Sequence, residues 1–327
     1  MSKKALVIIL ISFLCGSIFI ETSEGKEYPT KPIEILVPYG AGGTVDILMR
    51  LVADITPKYL GQPVIVINKP GAGASLAAAE IISSKPDGYK LITITQTFFT
   101  IATKTQKIPF DPGSLVPLVN LVEYKDGLFV RTDSPWKNLN ELLEYARKNP
   151  RKLKWAHTAR GTFQHLSGML IFRKAGVETI DVPYPGGGAE MVAGLLGGHI
   201  DAGVTAYVAL KSQIKAGKIK YLMLISDRRY SDLPDVPCAT ELGYPEVAKL
   251  AAYGGLYCHK DTPEDIRKTL TNVFRKVYEN PEYRRKCEDL GTEPRFEGPE
   301  FMREAVRIGE EHTVPLLKEL GLFVERK

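Results

Sequence analysis

Two short stretches of the chain, Val37–Gly43 (VPYGAGG) and Val182–Gly188 (VPYPGGG), pass from an apolar run into a cluster of glycines. A glycine turn lets a ligand approach the backbone without a side chain in the way. Where such a turn opens into a helix, the first unpaired amides and the positive end of the helix dipole form an anion seat that needs no lysine or arginine. In the first stretch the seat is Tyr39, Gly40, Ala41, Gly42 and Gly43, with the Thr44 hydroxyl placed to cap the helix and Asp46 one turn in. Arg160-Gly161-Thr162 repeats the plan ahead of a helix that carries His165, and Pro185, Gly186 and Gly187 repeat it ahead of Ala189. Glycine at a strand–helix turn can also serve geometry alone; three such turns in one chain point more strongly to a ligand than any one of them.

Other chemistries fit less well. GAGG lacks the third spaced glycine of a dinucleotide fingerprint, and Asn68 stands where the acidic residue belongs; no Gly-Lys-Ser/Thr follows to make a P-loop. Pro70–Ser75 (PGAGAS) reads as a structural turn. There is no Gly-x-Ser-x-Gly elbow, and no cysteine stands with a partner histidine. His157, His165, His199, His259 and His312 are scattered and match no metal spacing. Neither a metal, a cofactor nor catalysis is therefore expected. Asp46 either orders its turn or is solvated, and Asp201, at a strand start read as facing a cleft, either takes a ligand amine or hydroxyl or fixes its loop. His165 reads as structural rather than ligand-touching. Gln96, Thr97 and Thr205 sit at strand ends and are candidates for direct contacts, while Phe98 and Phe99 either line a ligand tail or belong to the core.

These turns need elements to hold them. Strand-like runs at Glu34–Pro38, Val64–Ile67 and Lys90–Thr95 alternate with helical spacing over Thr44–Leu60 and Leu76–Ser83, the pattern of a parallel sheet flanked by helices. The second half repeats it, with strands at Leu153–Ala156, Ile180–Pro183, Ala202–Thr205 and Lys220–Ser226 and helices at Phe163–Lys174 and Ala189–Leu196. Two similar α/β lobes follow. Leu128–Val130 and Gly254–Tyr257 occupy corresponding places, so each lobe is expected to lend the other a strand. The chain then crosses twice, near Tyr124–Gly127 and Arg229–Tyr253, and such a double crossing makes a hinge. The expected division is 26–124 plus 254–327 for one lobe and 125–253 for the other.

With 327 residues, 44% hydrophobic and 25% charged, the chain has the composition of a soluble globular protein of about two domains. Its formal net charge of +5 is spread without a basic run, which argues against nucleic acid. Lys3 and Lys4, the apolar run Ala5–Ile20 and the small residues Ser23 and Gly25 read as a secretory signal peptide, residues 1–25. An exported protein is expected, in which Cys238, Cys258 and Cys287 permit one disulfide.

A family resemblance then rests on YPTKPIEILVPYGAGGTVDILMRLVAD, LGQPVIVINKPGAGAS, KPDGYKL, HLSG, VPYPGGGAEMVAGLLGGHIDAG and LPDVPCATELGYP, in this order over most of the chain. Together they resemble the Bug-type receptors of tripartite tricarboxylate transporters. The resemblance implies a periplasmic, two-lobed Venus-flytrap protein of type II topology that is not an enzyme. It implies a small di- or tricarboxylate, amino acid or aromatic acid as ligand, permease subunits as partners, and a monomer. The ligand carboxylate is then expected at Tyr39, Ala41, Gly42, Gly43 and Asp46 of one lobe, and at Gly161, Thr162, His165, Pro185, Gly186, Gly187 and Asp201 of the other. His157 departs from the family's usual serine and Ala159 from its usual glycine. A ligand sensor for a signalling partner and an exported enzyme on a small acid are the alternatives.

Overall fold

The computed structural model describes Tyr28–Glu325; the expected signal peptide lies outside the described residues. Two sheets organise the molecule. The first runs β11-β4-β10-β3-β1-β2 and the second β7-β6-β8-β5-β9. In the first, β1 (Ile33–Val37) pairs in parallel with β2 (Val64–Asn68) and β3 (Lys90–Thr95), and β10 (Ala252–His259) lies antiparallel between β3 and β4 (Leu115–Tyr124). In the second, β6 (Lys154–His157) pairs in parallel with β7 (Ile180–Pro183) and β8 (Ala202–Ala206). There β5 (Asp126–Arg131) lies antiparallel between β8 and β9 (Ile219–Leu224). The two sheets thus share one plan, with β10 and β5 in equivalent places.

The hydrophobic patterning explains the layers. β1 is buried on both faces except for Glu34, as a central parallel strand requires, whereas β2 alternates and leaves Ile65 and Ile67 exposed at the sheet edge. Helix α1 (Thr44–Ile55) lays Leu48, Val52 and Ile55 onto this sheet; Pro57 then starts a separate turn, so the helix expected to Leu60 ends earlier. Helices α2 (Ser75–Ser83), α3 (Leu139–Lys148), α4 (Phe163–Lys174), α5 (Gly188–Leu196) and α6 (Tyr207–Lys215) flank the sheets. Helices α7 (Glu264–Glu279), α8 (Pro281–Asp289) and α9 (Pro299–Glu319) follow β10.

The chain leaves the first sheet at Tyr124, enters the second at Asp126, and returns to the first at Ala252. Between the two strands stands Lys125, whose buried Nζ lies 2.5 Å from Asp232 and 3.1 Å from Glu293 of β11 (Thr292–Glu297). Arg295 of β11 pairs with Glu123 of the neighbouring β4 at 2.8 Å and reaches Asp227, beyond β9, at 2.9 Å. The crossing is therefore held by two buried cations, Lys125 and Arg295, whose charges are left uncompensated in the interior if their acidic partners are removed. Cys238, Cys258 and Cys287 are all buried free thiols. No helix among the described residues is long and apolar enough to cross a membrane.

Candidate functional site

The ends of β1, β6 and β7 carry the three glycine turns, each running into the helix that follows. All three are closed by one device. In α1 the Asp46 carboxylate reaches back to accept the Gly42 amide at 2.8 Å. In α4 the His165 Nδ1 accepts the Gly161 amide at 3.0 Å, and in α5 the Glu190 Oε2 accepts the Gly186 amide at 2.9 Å. Each acceptor is the third residue of its helix and each donor the residue just before the cap, a relative of the capping box shifted by one position. The amides of Gly42, Gly161 and Gly186 are thus already engaged, contrary to the expectation that they face a ligand. What the closure leaves open are the amides beyond it: those of Gly43 and Thr44 in the first turn have no partner among the described residues. The cap of α1 is Gly43 itself, without a side-chain bond, so Thr44 does not cap the helix as its hydroxyl suggested.

The first turn is exposed from Tyr39 to Gly43 and braced from beneath. Asp46 is only 2% exposed. Its carboxylate takes Gly42 N–H, Asn68 Nδ2 at 2.8 Å and Arg50 Nε at 3.1 Å, and Asn68 Nδ2 also donates to the Tyr39 carbonyl at 3.2 Å. Burial alone pushes this carboxyl up, but the hydrogen bonds from Arg50, Gly42 and Asn68 outweigh it and hold it at about 2. Asp46 therefore orders the turn, one of the two roles its position allowed. Of its partners, Arg50 was not singled out in the sequence, and Asn68 was noted only for standing where a dinucleotide site has its acidic residue.

The second turn is built differently. Thr162 caps α4, its Oγ1 accepting the His165 amide at 3.4 Å and donating to the Ala159 carbonyl at 2.6 Å. Gly161 is buried: a Cβ there would lie 2.5 Å from Leu322 Cδ1, so the chain after α9 covers this corner. His165 does not stand alone. Its ring lies 4.1 Å from that of His157, and its Nε2 is 3.5 Å from Asp181 Oδ2, which is also 3.2 Å from His157 Nε2. Sheet register explains the meeting, because Trp155, two residues before His157 on the same face, is paired with Asp181. The histidines read as scattered thus form part of a cluster with this carboxylate. Burial, then the neighbouring His157, lowers His165 to about 4, and burial likewise lowers His157, so both rings are neutral at neutral pH.

The third turn stays exposed at Pro185 and Gly186, while the Gly187 amide bonds back to the Tyr184 carbonyl at 2.9 Å. Two expected contact residues belong elsewhere. Asp201 precedes β8, whose parallel partner β6 ends at the second turn, so it lies at the opposite edge of the sheet. There its carboxylate accepts the Lys154 amide at 2.9 Å and fixes that edge. Gln96 is buried, donates to the carbonyls of Leu250 and Ala251, and accepts the Tyr253 amide at 2.8 Å; it clamps the returning crossover. Phe98 and Phe99 pack in the first-lobe core, Phe99 against Tyr257. Thr97 is half-buried, with its hydroxyl 2.5 Å from that of Thr95. Thr205 is buried at the end of β8, where its carbonyl accepts the Tyr221 hydroxyl at 3.1 Å.

One group at the same edge of the second sheet escaped the sequence. Asp126 starts β5, opposite Ala206 at the end of β8, and is 2% exposed, with Gln164 Nε2 at 3.3 Å. Burial pushes its carboxyl up to about 7. Gln164 in turn meets the Thr158 hydroxyl at 3.4 Å, so a chain of polar groups links the crossover to the second turn. A cavity of about 740 Å³, lined by Lys107–Asp111 with Val324 and Glu325, contains none of the turn residues.

Comparison with known proteins adds a frame to this geometry. The model of a family described as "Tripartite tricarboxylate transporter family receptor" matches residues 48–322. A protein of Cupriavidus necator, described as "UPF0065 protein in gbd 5'region", is 34% identical over 301 residues, covering 92% of this chain and 90% of its own. Among solved structures, a ligand-free TctC solute-binding protein from Polaromonas superposes with a TM-score of 0.81. It is 28% identical, over 89% of this chain and 99% of that one. An R. palustris protein with bound adipate is 26% identical over 90% of this chain and 99% of its own, with a TM-score of 0.69.

Proposed function

This chain belongs to the tripartite tricarboxylate transporter receptor family, and we propose that it captures a small organic carboxylate between its two lobes. The fold is that of the two-lobed periplasmic binding proteins. The observation that carries the ligand class is the first turn. Exposed backbone from Tyr39 to Gly43 ends in the unpaired amides of Gly43 and Thr44, and no lysine or arginine belongs to the turn. Each amide-to-carboxylate bond in such a seat is worth about 1.5–3 kcal/mol, so a few of them suffice for micromolar binding. The adipate-bound relative makes dicarboxylates the first class to try.

In this reading the protein works in the periplasm after removal of residues 1–25, as a monomer, with lobes 26–124 plus 254–327 and 125–253. It releases its ligand unchanged to the permease subunits of a tripartite transporter. Calorimetry of the mature chain against a panel of dicarboxylates, tricarboxylates, amino acids and aromatic acids tests it. One-to-one binding of at least one acid is expected; heat from none of them, or conversion of an acid to a product, contradicts it.

A further inference from the structure

We propose that His157, His165 and Asp181 form a binding site for a divalent transition-metal ion of the zinc class. The site lies at the second sheet beside the Gly161 turn and shares no residue with the exposed first turn, Tyr39–Gly43. One nitrogen of each histidine and one carboxylate oxygen lie within 4.8 Å of one another. Four ligands at the usual zinc distances of about 2.0–2.2 Å stand about 3.3–3.6 Å apart on a tetrahedron. Two edges already have that length: 3.2 Å from His157 Nε2 to Asp181 Oδ2 and 3.5 Å from His165 Nε2 to the same oxygen. Two imidazoles and a carboxylate suit Zn²⁺, Cu²⁺ or Ni²⁺ rather than Ca²⁺ or Mg²⁺.

Burial and access also fit. Both rings are buried and held by aromatic neighbours, with Trp155 packed on each, whereas Asp181 is half exposed and opens the cluster to solvent for a fourth, water ligand. The Nε2 of His157 faces Asp181 Oδ2 at 3.2 Å, which leaves that nitrogen on the side of the carboxylate. Arg160, a cation whose charge is felt at both rings, is on an exposed part of the turn.

The site is coupled to the second turn through one proton. Gly161 donates to His165 Nδ1, so in the free protein the proton of this neutral ring sits on Nε2. A metal takes the Nε2 lone pair, which moves that proton to Nδ1. Two donors then face each other, and the Gly161 bond is lost. Metal occupancy therefore unlatches the second turn, while the first turn, closed by Asp46, is untouched.

Zn²⁺ titration of the mature chain by calorimetry, with Co²⁺ as a visible-absorption probe, tests this. The expected result is one ion per chain with the absorption bands of tetrahedral Co²⁺. Asp181→Asn and His157→Gln should each weaken binding at least tenfold, the scale on which metal sites respond to altered ligand shells. His259→Gln, a histidine away from the cluster, should change nothing. Amide exchange at Gly161 should accelerate on adding Zn²⁺. Asp181→Asn changes a half-exposed side chain and serves as the folded control for the buried histidine, checked by circular dichroism. Absence of saturable uptake by the wild type, or uptake unaltered in Asp181→Asn and His157→Gln, overturns the proposal. Carboxylate binding is measured separately by calorimetry without metal, so failure of the metal site and failure of the carboxylate seat are told apart.

Discussion

The first and second glycine turns close by the same hydrogen bond and differ in what makes it. Asp46 closes the first with a charge that Arg50 and Asn68 secure, and the backbone above it stays exposed. His165 closes the second with a neutral ring, and Leu322 covers the glycine. A charge-assisted bond is about twice as strong as a neutral one and needs its counter-charge to persist. The contrast teaches that a shared turn geometry can yield one rigid, open seat and one corner that is covered and responsive to protons.

Asp46→Ala should separate the turns most. It frees the Gly42 amide and leaves Arg50 and Asn68 without their shared partner, and it should weaken carboxylate binding by roughly 10–100-fold and lower stability by about 2–3 kcal/mol. His165→Ala removes a neutral bond and should weaken binding far less; equal losses from the two would erase the distinction. Calorimetry and urea unfolding read both.

Alanine at the glycines sharpens it further. Gly42 and Gly161 both have left-handed backbone, at φ 83° and 77°, where a side chain costs about 1–2 kcal/mol. A Cβ at Gly42 would meet nothing within 4 Å, whereas one at Gly161 would lie 2.5 Å from Leu322 Cδ1 and 3.8 Å from Leu317 Cδ2. Gly161→Ala should therefore shift the urea midpoint more than Gly42→Ala does, and adding Leu322→Ala should bring the two together.

Acid should act on the turns in sequence. His165 falls from its ordinary 6.5 to about 4 in the folded chain, so as pH drops the unfolded state takes the proton first. The stability tied to the second turn is thus intact above about 6.5 and lost as pH falls toward 4. Asp46 falls from 3.8 to about 2, so the stability of the first turn is present above about 4 and is lost only below it. Amide exchange at Gly161 should rise between these ranges while that at Gly42 stays slow; a joint rise would contradict the contrast. Glu190→Gln, at an exposed carboxylate, should have the smallest effect, a few tenths of a kcal/mol.

Much of this was legible in the sequence because buried parallel strands read as apolar runs and glycine turns punctuate them. Lys90–Thr95, Phe163–Lys174 and Ile180–Pro183 have the bounds expected of them. β4 was not legible. Its Asn120 and Glu123 are polar residues buried by partners about 175 residues away: Asn120 donates to the Arg295 carbonyl, and Glu123 pairs with the Arg295 side chain. Its Pro117 argues against a strand, yet β11 reaches only Asn120–Tyr124, so no partner on that side meets the missing amide. In the site, Asp46 announced itself beside the glycines, whereas Arg50 shares its helix face and Asn68 joins only through the β1–β2 pairing. Asp201 was misplaced because a strand start was read as an edge facing the cleft; in a parallel sheet the starts lie opposite the turns.

In the proposed reading the main-chain amides of Gly43 and Thr44 hold the ligand's carboxylate. Two-dimensional amide NMR of the labelled mature chain, titrated with its tightest-binding acid, tests this most directly. The Gly43 and Thr44 resonances are expected to shift in step with saturation while Gly42, already bonded to Asp46, moves little. Saturable binding that leaves Gly43 and Thr44 unmoved would contradict it.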